Sequence, residues 1–180
     1  MKPLSAELPD SFCWRSVQEF NWLDQDVTAS ELAPADALPD LQTDNNAISF
    51  YLIPKREAAT LGDQIAAAMA CGLKGGVKHY EYVLFEAIAL SKVAAKFELT
   101  PGDTPDAAVN KLHVNVHDLS ADQIAGIADW IWKGRMFERR LDDQMASLIA
   151  AGITSGRIDR SRVTEKVINR LRSDRLIPRA

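Results

Sequence analysis

The 180 residues are 47% apolar and 26% charged with a net charge of −4, a globular balance that can offset chain entropy without metals or disulfides as staples. The length suits one hydrophobic core, and no apolar run approaches the roughly 18 residues that a bilayer span needs. Cys13 and Cys71 belong to no CxxC pair, and residues 1–10 are polar and acidic. From these features neither a zinc cluster, a disulfide framework nor a secretory leader is expected, and a cytoplasmic protein is predicted.

Charge is unevenly spread. Residues 1–132 carry 9 basic and 19 acidic side chains, a net of −10, while residues 133–180 carry 12 and 6, a net of +6. Such a gradient means either an anionic partner at the basic end or two solvated faces that attract each other within the fold.

Residues 1–46 are acidic and hold Pro3, Pro9, Pro34 and Pro39 together with the aromatic cluster Phe12, Trp14, Phe20 and Trp22. They read as an N-terminal arm in which Trp14 to Leu23 forms a short docking helix and Ala29 to Leu41 a connector. Residues 47–180 read as a helical domain. Within it, Ala47 to Ile53 is an apolar run stopped by Pro54, the best strand in the chain. Its partner is Leu112 to Val116, where apolar and polar residues alternate.

Glu57 to Cys71 predicts a first helix, rich in alanine and ended by Gly72. The three-four spacing of Val83, Ala87, Leu90, Ala94 and Phe97 predicts a second over Lys78 to Glu98. Thr104-Pro105-Asp106 starts a third, running to about residue 112 in competition with the strand reading. The capping box Ser120 to Gln123 opens a fourth and longest helix, whose stripe Ile124, Ile127, Ile131, Phe137, Leu141, Met145 and Leu148 continues past Gly134 to Ala150. A fifth covers Ser161 to Arg172. The expected fold is therefore mainly α, a compact bundle of about five helices with at most a small β element near residues 47–53.

His113 and His117 share a side of either a helix or a strand and form a weak metal-ligand pair, without the glutamate of an HExxH motif. Lys74, Gly75, Gly76 and Lys78 form a glycine-rich turn before the second helix, an anion-binding candidate that fails the Walker spacing. No catalytic motif is present, and nothing calls for a cofactor. In the last helix Arg162, Lys166 and Arg170 repeat every four residues beside an apolar stripe, with Arg157 and Arg160 just before. This order of helix, turn and basic helix resembles the helix-turn-helix part of winged-helix DNA-binding domains, which implies a nucleic-acid partner, although the turn is long and no wing strands follow.

Trp130 and Trp132, two apart on the fourth helix, cannot both enter one core, so one of them with Arg135 and Arg139 has the composition of a protein interface. Trp14 and Trp22 supply further interface candidates or a surface that packs on this patch. The sequence thus predicts a non-enzymatic adaptor or regulator acting through a helical surface, with self-association around the fourth helix as one form. The alternatives are a nucleic-acid-binding regulator and, third, a metal-dependent or phosphate-handling enzyme.

Overall fold

A six-stranded antiparallel sheet organises the chain, which corrects the expected mainly α bundle. The computed structural model describes residues 8–22, 32–44, 46–93 and 95–178. The strands are β1 (Ser11–Ser16), β2 (Ala47–Pro54), β3 (Tyr80–Glu86), β4 (Lys96–Leu99), β5 (His113–His117) and β6 (Met136–Arg140), in the order β4-β5-β2-β1-β3-β6. The helices are α1 (Ala58–Ala70), α2 (Ile88–Lys92), α3 (Ala107–Asn110), α4 (Ala121–Gly134), α5 (Asp142–Thr154) and α6 (Glu165–Ser173).

Where one strand face is less covered, the sequence pattern is clear: β5 buries Val114 and Val116 and leaves His113, Asn115 and His117 half-buried. It pairs with β2 as expected, Ala47 opposite His117 and Tyr51 opposite His113. The interior strands are covered on both faces, and two-sided burial erases the period of two. Tyr80, Tyr82, Val83, Leu84 and Phe85 are all buried in β3, so the predicted second helix resolves into β3, α2 and β4. Three-four spacing arose there by coincidence, while the aromatic and β-branched residues at 80–85 favour a strand.

The expected short helix at Trp14–Leu23 also changes. Residues 11–16 are strand, Glu19–Trp22 is one 3-10 turn, and Leu23 lies outside the described residues. Residues 1–46, read as an arm, thus supply a strand hydrogen-bonded to β2 on one side and β3 on the other. The predicted fourth helix is α4, β6 and α5 in succession. Gly134 ends α4, and Arg135 is extended at φ −65° and ψ 135°. Phe137 and Leu141 keep the helical phase of the stripe only by accident.

Local signals at helix starts fare better. The Ser120–Gln123 capping box is formed in both directions. Asp106 caps α3, two residues after the expected Thr104, and accepts from the N–H groups of Ala108 and Val109. The last helix starts at Glu165 after a 3-10 turn over Arg160–Arg162.

Each sheet face carries its own core. Cys13, Phe50, Leu52, Val83, Phe85, Val114 and Val116 pack with Ile127, Ala128 and Ile131 of α4, with Trp22, and with the 3-10 segment Ala35–Leu41. On the other face Trp14, Tyr51, Ile53, Tyr80, Tyr82 and Leu84 lie under α1, which in turn packs against α5. Contact on two sides explains the alanine run: Ala66, Ala67, Ala68 and Ala70 are all buried, and larger residues would force the layers apart. Gly62 brings α1 close to β3, since a Cβ there would sit 3.1 Å from the Tyr82 hydroxyl.

Candidate functional site

Two places on this frame gather exposed or accessible functional groups. The first is the outer edge of β6, a terminal strand of the sheet. Trp132, three residues before the turn into β6, is buried, and the Arg135 guanidinium stacks 3.6 Å from its ring centroid. Trp130 is 38% exposed, so the two tryptophans do part company, with Trp130 outward. Arg139 pairs with Glu81 at 3.4 Å, and Glu81 also accepts the Glu19 backbone N–H at 2.9 Å. Beside this pair Phe20, Leu73 and His79 line a depression of 490 Å³. Phe20 (68%), Met136 (40%) and Leu141 (57%) expose apolar surface around the strand. Trp14 and Trp22, the other interface candidates, are both buried. Trp22 is anchored by donating its indole N–H to Asp40 at 2.7 Å.

The second place is a recess of 390 Å³ on the face that α1 only partly covers. Its lining is Trp14, Arg15 and Ser16 of β1 and Ser49 and Tyr51 of β2, with Met69 of α1, His113 of β5, and Asp103 and Thr104 beside them. Trp14 stacks on Tyr82 at 5.3 Å and meets Tyr51 edge-on at 5.5 Å. Its indole N–H is buried and has no hydrogen-bond partner among the described residues. The Tyr51 hydroxyl donates to the Met69 thioether at 3.3 Å, a weak acceptor. Burial pushes the Tyr51 phenol up to about 12. The phenols of Tyr80 and Tyr82 are raised by the same cause.

His113 has a defined tautomer. Its Nδ1 lies 2.8 Å from the Thr100 carbonyl, which can only accept, so Nδ1 carries the proton and Nε2 of the neutral ring is an acceptor. His117 is on the same side of β5, but four residues of strand put it about 13 Å away, too far to share an ion with His113. Among the described residues no group of three potential ligands gathers around either one.

The wall loop, residues 100–106, lacks regular structure yet is densely bonded. Thr104 gives its N–H and hydroxyl to the Asn110 side-chain oxygen at 2.8 and 2.7 Å, and its carbonyl receives the Asn110 amide at 2.9 Å. Arg162 donates to the same carbonyl at 2.7 Å and pairs with Asp103. Arg157 pairs with Asp106, which is fully buried. Two arginines of the basic segment therefore hold this loop. Arg170 bonds Asp174 at 2.5 Å and Asp143 at 3.3 Å, while Arg160 and Lys166 are exposed.

The turn with Lys74, Gly75, Gly76 and Lys78 leads into β3, so the helix N-terminus expected to favour an anion there is absent. Gly76 instead adopts φ +84° with its α-carbon against α6, where an added Cβ would lie 3.7 Å from Lys166. Of the recess, the sequence had marked only His113 as a ligand-binding residue and Trp14 as an interface one. Ser16, Ser49, Tyr51 and Met69 carry no spacing signal, because two separate strands and a helix bring them together.

Comparison with protein-family models, with curated proteins and with solved structures finds no match to the chain.

Proposed function

We propose that the protein is a non-enzymatic, cytoplasmic interaction module that accepts an extended acidic segment of another protein along the outer edge of β6. The observation that carries this reading is a terminal strand ringed by exposed Phe20, Met136 and Leu141. Such an edge presents unpaired N–H and C=O groups that a partner strand can complete. Of the four cations in residues 133–140, Arg139 is paired with Glu81 and Arg140 with Asp63 and Glu138, which among the described residues leaves Lys133 and Arg135 without an acidic partner, and their complementarity favours an acidic strand.

Pairing with a second copy is disfavoured. In a two-fold antiparallel pair centred on β6, facing residues share a sheet face, so Glu138 meets Glu138 or Arg139 meets Arg139, and like charges directly opposite repel. Two buried free thiols, Cys13 and Cys71, suit a reducing compartment, and no helix among the described residues is long and apolar enough to cross a membrane.

Eight-residue peptides alternating aspartate with valine, and lysine counterparts, test the reading by fluorescence anisotropy and amide hydrogen exchange. The acidic peptide is expected to bind, to slow exchange across residues 136–140, to weaken as salt rises, and to lose about tenfold in affinity with Lys133→Glu plus Arg139→Gln. Equal binding of both peptides, unchanged exchange in β6, or a dimer by light scattering would overturn it.

A further inference from the structure

We propose that the recess between β1, β2, β5 and the 100–106 loop binds a small organic cation, an amine or amidine on an apolar body. This site is separate from the β6 edge and does not depend on the reading given for it. Its volume of 390 Å³ falls in the range of small-ligand pockets, and its lining sets the apolar surfaces of Trp14, Tyr51 and Met69 beside polar groups of the sheet and the loop.

The first support is pre-organisation. Loops that only connect elements are usually loosely held, whereas this one is tied by the Asn110 side chain, by the buried Asp106–Arg157 pair and by Arg162. Those bonds fix Asp103 and Thr104 against a sheet face where α1 has run out at Met69. A shaped cavity between rigid elements costs a ligand little ordering on entry.

The second support is the balance of donors and acceptors. The Thr104 hydroxyl commits its proton to Asn110 and accepts from the Asp106 N–H, so it has no donor left for a ligand. Ser49 gives its proton to Asn115 at 2.9 Å and keeps its lone pairs. His113 offers Nε2 as an acceptor because Thr100 holds the other nitrogen. Arg162 occupies one oxygen of Asp103 and leaves the second, on a side chain that is 95% exposed at the rim. The Tyr51 oxygen keeps its lone pairs beside a proton held by a thioether. The lining thus offers acceptors and one carboxylate, while the Trp14 N–H is buried and has no hydrogen-bond partner among the described residues.

Arg15 also lines the recess, but its guanidinium is engaged elsewhere. Its guanidinium lies 5.5 Å over the ring of Phe50, which belongs to the opposite face of the sheet, and donates to the carbonyls of Asp40 and Ser49. An N–H-rich head can thus bond to Asp103, His113 Nε2 and Ser49, with its apolar body against Met69 and Tyr51.

The probes are benzamidine and tyramine, with benzoate and neutral benzamide as controls of similar size, followed by calorimetry and by NMR of the Trp14 indole N–H and the His113 ring. Benzamidine is expected to shift both signals saturably and to bind about tenfold more tightly than benzoate. Asp103→Asn should weaken benzamidine and leave benzamide unchanged. Met69→Trp, which fills the recess, should abolish binding while Met69→Leu retains it. Benzoate binding as well as benzamidine, shifts that map elsewhere, or full binding by Met69→Trp would overturn the proposal. Should Met69→Trp fail to fold, Asp103→Asn still decides, because its exposed side chain contributes little to the core.

Discussion

Against α4 the sheet presents Phe50, Leu52, Val83, Phe85, Val114 and Val116, which carry no polar side-chain atom; against α1 it presents Trp14, Tyr51, Tyr80 and Tyr82, each of which carries one. The first face needs only close packing. The second needs partners for every ring donor, and it finds them unevenly. Tyr82 is well served, donating to Asp63 at 3.0 Å and lying near Arg140, which bonds the same carboxylate at 2.7 Å. Tyr51 has a thioether, and Trp14 has no partner among the described residues. The recess opens on the side of that face where the polar atoms are least satisfied, so the sealed face carries stability and the other gives some of it up to form a cavity.

The largest expected effect tests that division. Phe85→Ala on the sealed face should cost about 3–5 kcal/mol in urea unfolding. Trp14→Phe should cost under about 1.5 kcal/mol, since the lost volume is partly offset by removing a buried donor without a partner. Similar losses from the two variants would erase the distinction between the faces.

Next comes the recess wall. Arg157→Met strands the fully buried Asp106 carboxylate and should cost about 3 kcal/mol. Arg162→Met breaks an exposed pair and should cost under about 1 kcal/mol. The ordering sharpens the comparison, because it makes Arg157 the anchor of the loop and Arg162 an adjuster of its tip.

The smallest effect is alkaline. On the α1 face burial raises the Cys71 thiol from 9.0 to about 12 and the Tyr51 phenol from 10.0 to about 12. Both groups are neutral in the folded protein at pH values where the unfolded chain already ionises. Their contribution is whole below about pH 9 and declines as pH rises towards 12. Urea midpoints followed from pH 8 to 11 should fall gradually, and Tyr51→Phe should flatten the slope. A flat profile in the unmodified protein would show that these groups do not feel the burial assigned to them.

The sequence was legible where one physical rule acts alone. Ser120 and Gln123 cap a helix by local geometry, and β5 alternates because one of its faces is less covered. It was illegible where rules overlap. β3 is buried on both sides and so loses its period, and β6 keeps a helical phase between two true helices. Arg157 and Arg162 looked free because their partners, Asp106 and Asp103, lie more than fifty residues earlier. The recess was scarcely visible, since it joins residues from β1, β2, α1, β5 and a loop.

The strand order has a further consequence for how the chain is assembled. β1 comes first in sequence and lies inside the sheet, flanked by β2 and β3, so the first 86 residues contain three adjacent strands. Every later strand adds outward, β6 onto β3, and β5 onto β2 with β4 beyond it. During synthesis the sheet can grow from its middle toward both margins without reopening a pair already made. Only β4 must wait for a neighbour that follows it, and β6 closes the sequence of additions as the margin left open.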